Sequence, residues 1–261
     1  MNPGNKMDAM EKTGHYLFDA LQGVGEAMIL LVRGLLWTYQ VAKYRALVIE
    51  QMLFSGVESL PVVSVVAFFV GMVVSLQTGQ EMARFQLQAT IGNIVAASMF
   101  REMGPVFSAI IVAGRVGSAM AAQLGTMKVS EEIDALEAMS INPVRYLVMP
   151  RVLALLVMMP VLTVFANAIG LLGGALVGRY QIGVSYFTFF DNVVQNIEMK
   201  DIISGMVKAA VFGLIIGTVS CHQGLKASEG ARGVGRATTR SLVFSFLFIL
   251  MFDYFITAFF Y

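Results

Sequence analysis

Long uncharged runs alternate with short charged segments over most of the chain. Residues 59–80 lie uncharged between Glu58 and Glu81, and residues 152–178 between Arg151 and Arg179. Two further runs, 202–225 and 241–261, are interrupted once each, by Lys208 and by Asp253. About 20 mostly apolar residues cross roughly 30 Å of hydrocarbon, so each of these four runs is long enough to span a bilayer. The stretch 85–127 is longer and is broken by Arg101-Glu102, Gly104-Pro105 and Arg115. Two crossings and a turn barely fit there, so the pattern predicts one crossing over 94–124. A bent or interfacial lead-in before Pro105 is expected, because proline removes a helix hydrogen bond and crowds the preceding turn. The prediction is an all-α membrane protein with five spanning helices.

The N-terminal region reads differently. Lys12, Asp19, Glu26, Arg33 and Gln40 recur every seven residues, which is nearly two helical turns, and so form one narrow polar stripe. Leu17, Leu21, Met28, Leu31, Leu35 and Leu36 lie away from it. Such a helix is expected to lie in the membrane interface, with a shallow re-entrant insertion as the alternative. Asp19 and Glu26 argue against a basic-then-apolar signal peptide.

Between spans two and three, Ser130 is the expected N-cap of a short helix, with Glu131, Glu132 and Asp134 in its first turn, where the helix dipole favours anions. Ile133, Leu136, Ala138, Met139 and Ile141 would give it an apolar face, and Asn142-Pro143 would end it. One reading is a loop helix packed on the spans. The other is a knob that docks on a soluble partner, favoured because an acidic helix is poorly held at an anionic leaflet.

Composition narrows the class. Hydrophobic residues make up 57% of the 261 positions, charged residues 13%, and mean hydropathy is +0.74. A soluble domain carries about 25% charged residues, so a water-soluble globule is excluded. The net charge of +1 offers no electrostatic footprint for nucleic acid. A single cysteine, Cys221, rules out an internal disulfide, and two histidines, His15 and His222, make a metal centre or a catalytic constellation improbable. The glycine-rich stretch 230–235 lacks the phosphate-loop pattern and is expected to be a flexible turn. No cofactor is expected, and the chain carries no ATP-site motif of its own.

Lysine and arginine set the expected orientation. Lys128, Arg145 and Arg151 flank one connection, and Lys226, Arg232, Arg236 and Arg240 another. The opposite side offers Arg84, Arg179 and Lys200, offset by Glu81, Asp191, Glu198 and Asp201. The positive-inside rule puts the first set in the cytosol, so the N-terminus would be cytosolic and the C-terminus on the far side. Lys6, Lys12, Lys43 and Arg45 agree. The chain reads as one membrane domain, with an N-terminal region over 1–58 and a five-span core over 59–261.

Charges at membrane depth usually face a cavity or a partner. Arg101 and Glu102 are neighbours on a helix and point about 100° apart, so Glu102 needs a cation from elsewhere, and Lys208 lies at a matching depth. The cluster either fixes helix packing as a buried ion pair or lines a cavity in which its cations meet an anionic head group. Asp253, in span five, is a proton-relay group, a partner for Arg115, or a packed neutral carboxyl. Small residues near Arg115 (Gly114, Gly117, Ser118, Ala121, Ala122) and in span three (Gly170, Gly173, Gly174, Ala175, Gly178) suit tight helix contacts, and either patch is a candidate homodimer surface.

Several strings occur in unbroken order over about residues 60–260. These are Arg101-Glu102-Met103-Gly104-Pro105, Gly114-Arg115-Val116-Gly117-Ser118-Ala119, Ala122-Gln123-Leu124-Gly125-Thr126-Met127, Glu131-Glu132-Ile133-Asp134-Ala135-Leu136, Pro150-Arg151, and the run 230–241. Together they resemble the MlaE-type permeases, membrane subunits of ABC lipid transporters that work with MCE-domain proteins. One departure is Ser140, where that family usually carries glycine. The resemblance implies a cytosolic coupling helix over 131–139 (Glu131, Glu132, Asp134, Leu136, Met139) seated on an ABC ATPase. It also implies a substrate-cavity polar network at Arg101, Glu102 and Lys208; Arg115 and Asp253 are read from the residues alone, in packing or relay roles. Its expected partners are the ATPase, a periplasmic MCE-domain protein, a small STAS-type cytosolic accessory protein and a second copy of the chain, in a bacterial inner membrane. A stand-alone ion- or proton-coupled carrier using Glu102, Lys208 and Asp253 is the alternative, and a scaffold that recruits cytosolic proteins is a third reading.

Overall fold

The chain folds as five long, bent helical paths, each apolar enough to cross a membrane: Arg45–Arg84, Gln88–Val129, Val144–Ile182, Met199–Leu225 and Gly230–Phe260. The structure, a computed structural model, describes residues 22–228 and 230–261. In chain order the α-helices are α1 (22–36), α2 (Arg45–Ser55), α3 (Leu60–Arg84), α4 (Ile91–Ser98), α5 (Gly104–Val112), α6 (Ser118–Val129), α7 (Glu132–Ala138), α8 (Met149–Val177), α9 (Tyr186–Asn196), α10 (Met199–Leu225) and α11 (Gly230–Phe260). No strand occurs among the described residues. Lipid offers no partner for a free backbone N–H or C=O, so a chain this apolar satisfies its backbone within helices.

The path containing 85–127 is one crossing, as its length predicts, but it is not one regular helix. Two wide π-type turns, Met99–Met103 and Ala113–Gly117, join α4 to α5 and α5 to α6. The first ends just before Pro105, which has no N–H to donate and would crowd the carbonyl one turn earlier. A wide turn absorbs that clash without breaking the path. Pro150 is preceded in the same way by the wide turn Val144–Val148.

Glycines set how the helices pair. A Cβ on Gly71 would lie 1.9 Å from the Gly170 carbonyl oxygen, and one on Gly173 2.3 Å from that of Phe68. Gly79 meets Ile182, so the contacts climb together and α3 runs parallel to α8. Gly213 meets the Leu155 carbonyl and Gly217 meets Val152, so α10 runs antiparallel to α8. Gly205 meets Phe100 and Gly117 meets Ser220, so α10 follows the direction of the second path. Ser241 donates to Ser220 at 3.0 Å, which sets α11 antiparallel to α10. The five paths therefore alternate in direction, with 130–143 and 226–228 at one end, called here the basic end, and 85–90, 183–198 and Tyr261 at the other.

Part of each small-residue patch is used inside the chain: Gly170, Gly173 and Gly174 receive α3, and Gly117 receives α10, while Gly114 stays exposed. The largest cluster of buried apolar side chains, including Val112, Val116, Leu155, Met159, Phe212 and Ile216, fills the space between the second, third and fourth paths. Outward-facing α11 is the least covered, with Val243, Leu247, Leu250, Tyr254, Phe255 and Phe259 exposed.

The glycine-rich stretch 230–235 corrects an expectation: it forms nearly the first two turns of α11, not a loose turn. Gly233 packs against the Ser228 backbone so closely that a Cβ would fall 1.2 Å from its carbonyl oxygen.

In the N-terminal region, Lys12, Asp19, Leu17, Leu21 and His15 lie outside the described residues. The helix over 22–36 ends before Gln40, which sits in a 3-10 turn, Trp37–Gln40. Its polar stripe does not face water throughout. Glu26 turns inward to α10, where Lys226 donates to its carboxylate and His222 Nε2 lies 3.3 Å away. Met28, Ile29, Val32 and Leu36 are exposed instead.

Candidate functional site

Lys208 is completely buried in α10. Its ammonium lies 2.7 Å from Glu102 Oε2, on the wide turn Met99–Met103, and 2.7 Å from Asp253 Oδ1, on α11. Glu102 Oε1 also accepts from the Thr257 hydroxyl at 3.0 Å. Three of the five paths therefore meet at one ammonium. Exposed apolar side chains on α11 run from Val243 to Phe259. Asp253 sits ten residues, or about 15 Å, above the first, close to the middle of that band.

Nearly two turns away along α10 lies a second charged pair. Arg101 Nε donates to Asp201 Oδ1 at 2.8 Å and its Nη2 to Oδ2 at 3.2 Å, a two-pronged contact with a carboxylate that is 1% exposed. Tyr261 completes it. Its hydroxyl donates to Asp201 at 2.5 Å, and its ring lies 4.6 Å from the Arg101 guanidinium and 4.8 Å from the Lys200 ammonium. Burial, followed by the Asp201 hydrogen bond, pushes the phenol up to about 12, so it stays a donor at any physiological pH.

The structure thus brings Glu102 and Lys208 together and sets Arg101 on a different partner. Asp201, Thr257 and Tyr261 were not singled out in the sequence, although Asp201 lies two turns before Lys208 on the same face of α10. One expectation needs correction. Arg115 is not the partner of Asp253: it donates to Glu58 at 2.6 Å, to Ser59 Oγ at 2.8 Å and to the Phe54 carbonyl at 3.1 Å, pinning the bend between α2 and α3. Both cations of the cluster hold carboxylates, Lys208 fully buried and Arg101 with its own side chain 39% exposed.

At the basic end, α7 covers Glu132–Ala138, and Ser130 is not its N-cap. Ser130 closes α6, and Glu131 takes the N-cap position in a left-handed conformation, φ 59°. Ile133 and Leu136 pack against Leu124, Leu147 and Val148. Asp134 is tied to Lys128 at 2.8 Å. Met139 does not join the apolar face and is 70% exposed, beside the outward Glu131 and Glu132. Asn142 Oδ1 accepts from the N–H groups of Val144 and Arg145, starting the next path. A cavity of about 330 Å³ lies behind α7, lined by Arg33, Lys128, Ile133, Glu137 and Leu225 among others.

With this geometry in hand, the chain can be set beside known proteins. Residues 48–259 match the family described as permease MlaE. A probable ABC transporter permease protein of Rickettsia typhi is 45% identical over 214 residues, covering 82% of this chain and 83% of the relative. The intermembrane phospholipid transport system permease protein MlaE of Haemophilus influenzae is 34% identical over 246 residues, 94% of each chain. The chloroplastic protein trigalactosyldiacylglycerol 1 of Arabidopsis thaliana is 38% identical over 213 residues, 82% of this chain and 61% of that one. A multi-pass helical protein matched over this length is assigned without ambiguity: the chain belongs to the MlaE permease family.

Proposed function

We propose that the chain is the permease subunit of an ABC transporter that moves phospholipids or related lipids between a bacterial inner membrane and periplasmic MCE-domain proteins, as two copies driven by a separate ATPase. The observation that carries this reading is the ion cluster Glu102–Lys208–Asp253 near mid-depth. A charge there costs several kcal/mol on insertion scales and is kept where it meets a cavity or a polar ligand. In this reading Arg101, Glu102 and Lys208 belong to the polar network of the lipid cavity, Asp253 completes it, and Arg115 is a packing residue.

The helix over 132–138 is the coupling helix. It is held by Ile133 and Leu136 on one side and presents Glu131, Glu132 and Met139 on the other, while Asp134 braces it to Lys128. A short helix clamped between two long paths passes a rigid-body push to both. The basic end faces the cytosol, in keeping with its excess of lysine and arginine. The helix over 22–36 lies in the interface there, with Met28, Ile29, Val32 and Leu36 towards lipid. A STAS-type accessory protein would bind on this side, and the MCE protein near α9 on the other.

The test is flux of a fluorescent phospholipid in vesicles that hold the chain with its ATPase. Reversing Glu131 and Glu132 to lysine is expected to separate ATP turnover from flux, with flux falling to background. Full flux in the double variant would remove α7 from the coupling role. Full flux from the chain alone, driven by a proton gradient without ATP, would favour the carrier reading.

A further inference from the structure

We propose that the Glu102–Lys208–Asp253 cluster is a cation-selecting site that takes the primary ammonium of a zwitterionic phospholipid headgroup of the ethanolamine class. The proposal rests on the reading that this family member handles phospholipids, and it specifies which headgroup end the cluster receives.

The argument is one of charge and access. The cluster holds one ammonium and two carboxylates, a formal charge of −1 (one positive less two negative). Its nearest charged neighbour, Arg101, is matched by Asp201, so it does not supply the missing positive charge. Access is unequal. The Lys208 side chain is 0% exposed, whereas that of Glu102 is 35% and that of Asp253 20%. Between α11 and the turn Met99–Met103 the two acidic side chains are therefore within reach, while the lysine is covered. Their carboxylates have unused capacity. A carboxylate accepts about four hydrogen bonds. Glu102 accepts from Lys208 and from Thr257.

At membrane depth an excess carboxylate beside apolar surface is costly until a cation reaches it. A phosphate would be repelled there, whereas an ammonium with three N–H donors would neutralise the site and fill its open acceptors. Apolar α11 side chains flank Asp253 on the same exposed face, Leu250 and Met251 on one side and Tyr254 on the other, which suits the acyl chains of the same molecule.

The experiment measures equilibrium binding without ATP, so it does not depend on transport. The full chain, purified with its ATPase, is placed in vesicles that contain equal small fractions of photoactivatable phosphatidylethanolamine or phosphatidylglycerol, and labelling near Glu102 and Leu250 is quantified. The wild type is expected to label about tenfold more with the ethanolamine lipid, the scale of one charge-assisted hydrogen bond. Asp253→Asn and Glu102→Gln each remove one negative charge with little change of shape, and each is expected to abolish the preference. Size-exclusion behaviour and thermal unfolding check the fold of both, and either variant alone suffices. Equal labelling by both lipids in the wild type overturns the proposal, as does a preference that survives both variants. Preferential labelling by phosphatidylglycerol overturns it too. Absence of ATP-driven flux with the ethanolamine preference intact would instead refute the transport reading and leave the binding site standing.

Discussion

At the scale of single residues, the family's departure at Ser140 has a backbone explanation. Ser140 sits at φ 60°, just after α7, in the left-handed region that glycine occupies without steric penalty. Serine there costs about 1 kcal/mol relative to glycine. Ser140→Gly is expected to stabilise the α7 connection by about that amount, read as slower hydrogen exchange over 132–138; unchanged exchange would mean the strain is absorbed elsewhere. The sequence flagged this position only as an oddity, because φ is not visible in a residue list. It paired Glu102 with Lys208 correctly, since both are charges at one depth that need opposite partners. It missed Asp201 and Glu58, whose charges lie where span ends ordinarily carry them and so drew no notice.

At the scale of elements, the stripe through Glu26 and Arg33 announced an amphipathic helix but not which way it faces. Seven-residue spacing defines a face, and only the packing partner decides whether that face meets water or protein. Here Lys226, the largest influence, with Gln22 and His222, holds the Glu26 carboxyl down to about 2 against an ordinary 4.5. A depressed carboxylate contributes stability above its ordinary value and loses it as pH falls towards the folded value. The contact of α1 with α10 is thus expected to be complete above pH 4.5 and to fail between 4.5 and about 2. His222 and Lys226 are the titratable groups that face it from α10. Emission from Trp37, the only tryptophan, which follows directly on α1, would report the release. Glu26→Gln should remove the acid transition; an identical transition in that variant would assign it to another group.

For the whole molecule, the number of crossings was readable because each apolar run is long and bounded by charge. Their lengths were not. The second path covers 42 residues, about 60 Å if straight, twice the hydrocarbon thickness. Hydropathy marks only the part that must leave water, whereas helices continue past it wherever neighbouring paths cover them. Five alternating paths put the two ends of the core on opposite sides. With the basic end cytosolic, a phosphatase reporter fused after Tyr261 is expected to be active in the periplasm and one inserted after Ser140 inactive. The reverse pattern would invert the topology.

The wide turn Met99–Met103 ties these scales together. It carries one residue more than an ordinary turn, and its two consecutive charges reach points on α10 seven residues apart, Asp201 and Lys208. Tightening it to normal pitch would rotate everything beyond it by about 100° and pull one of the two side chains off its mate. The spare residue and the paired charges therefore behave as spring and catch: the spring cannot recoil while both hooks are fastened, and unhooking either one sets the upper half of that rod free to swivel.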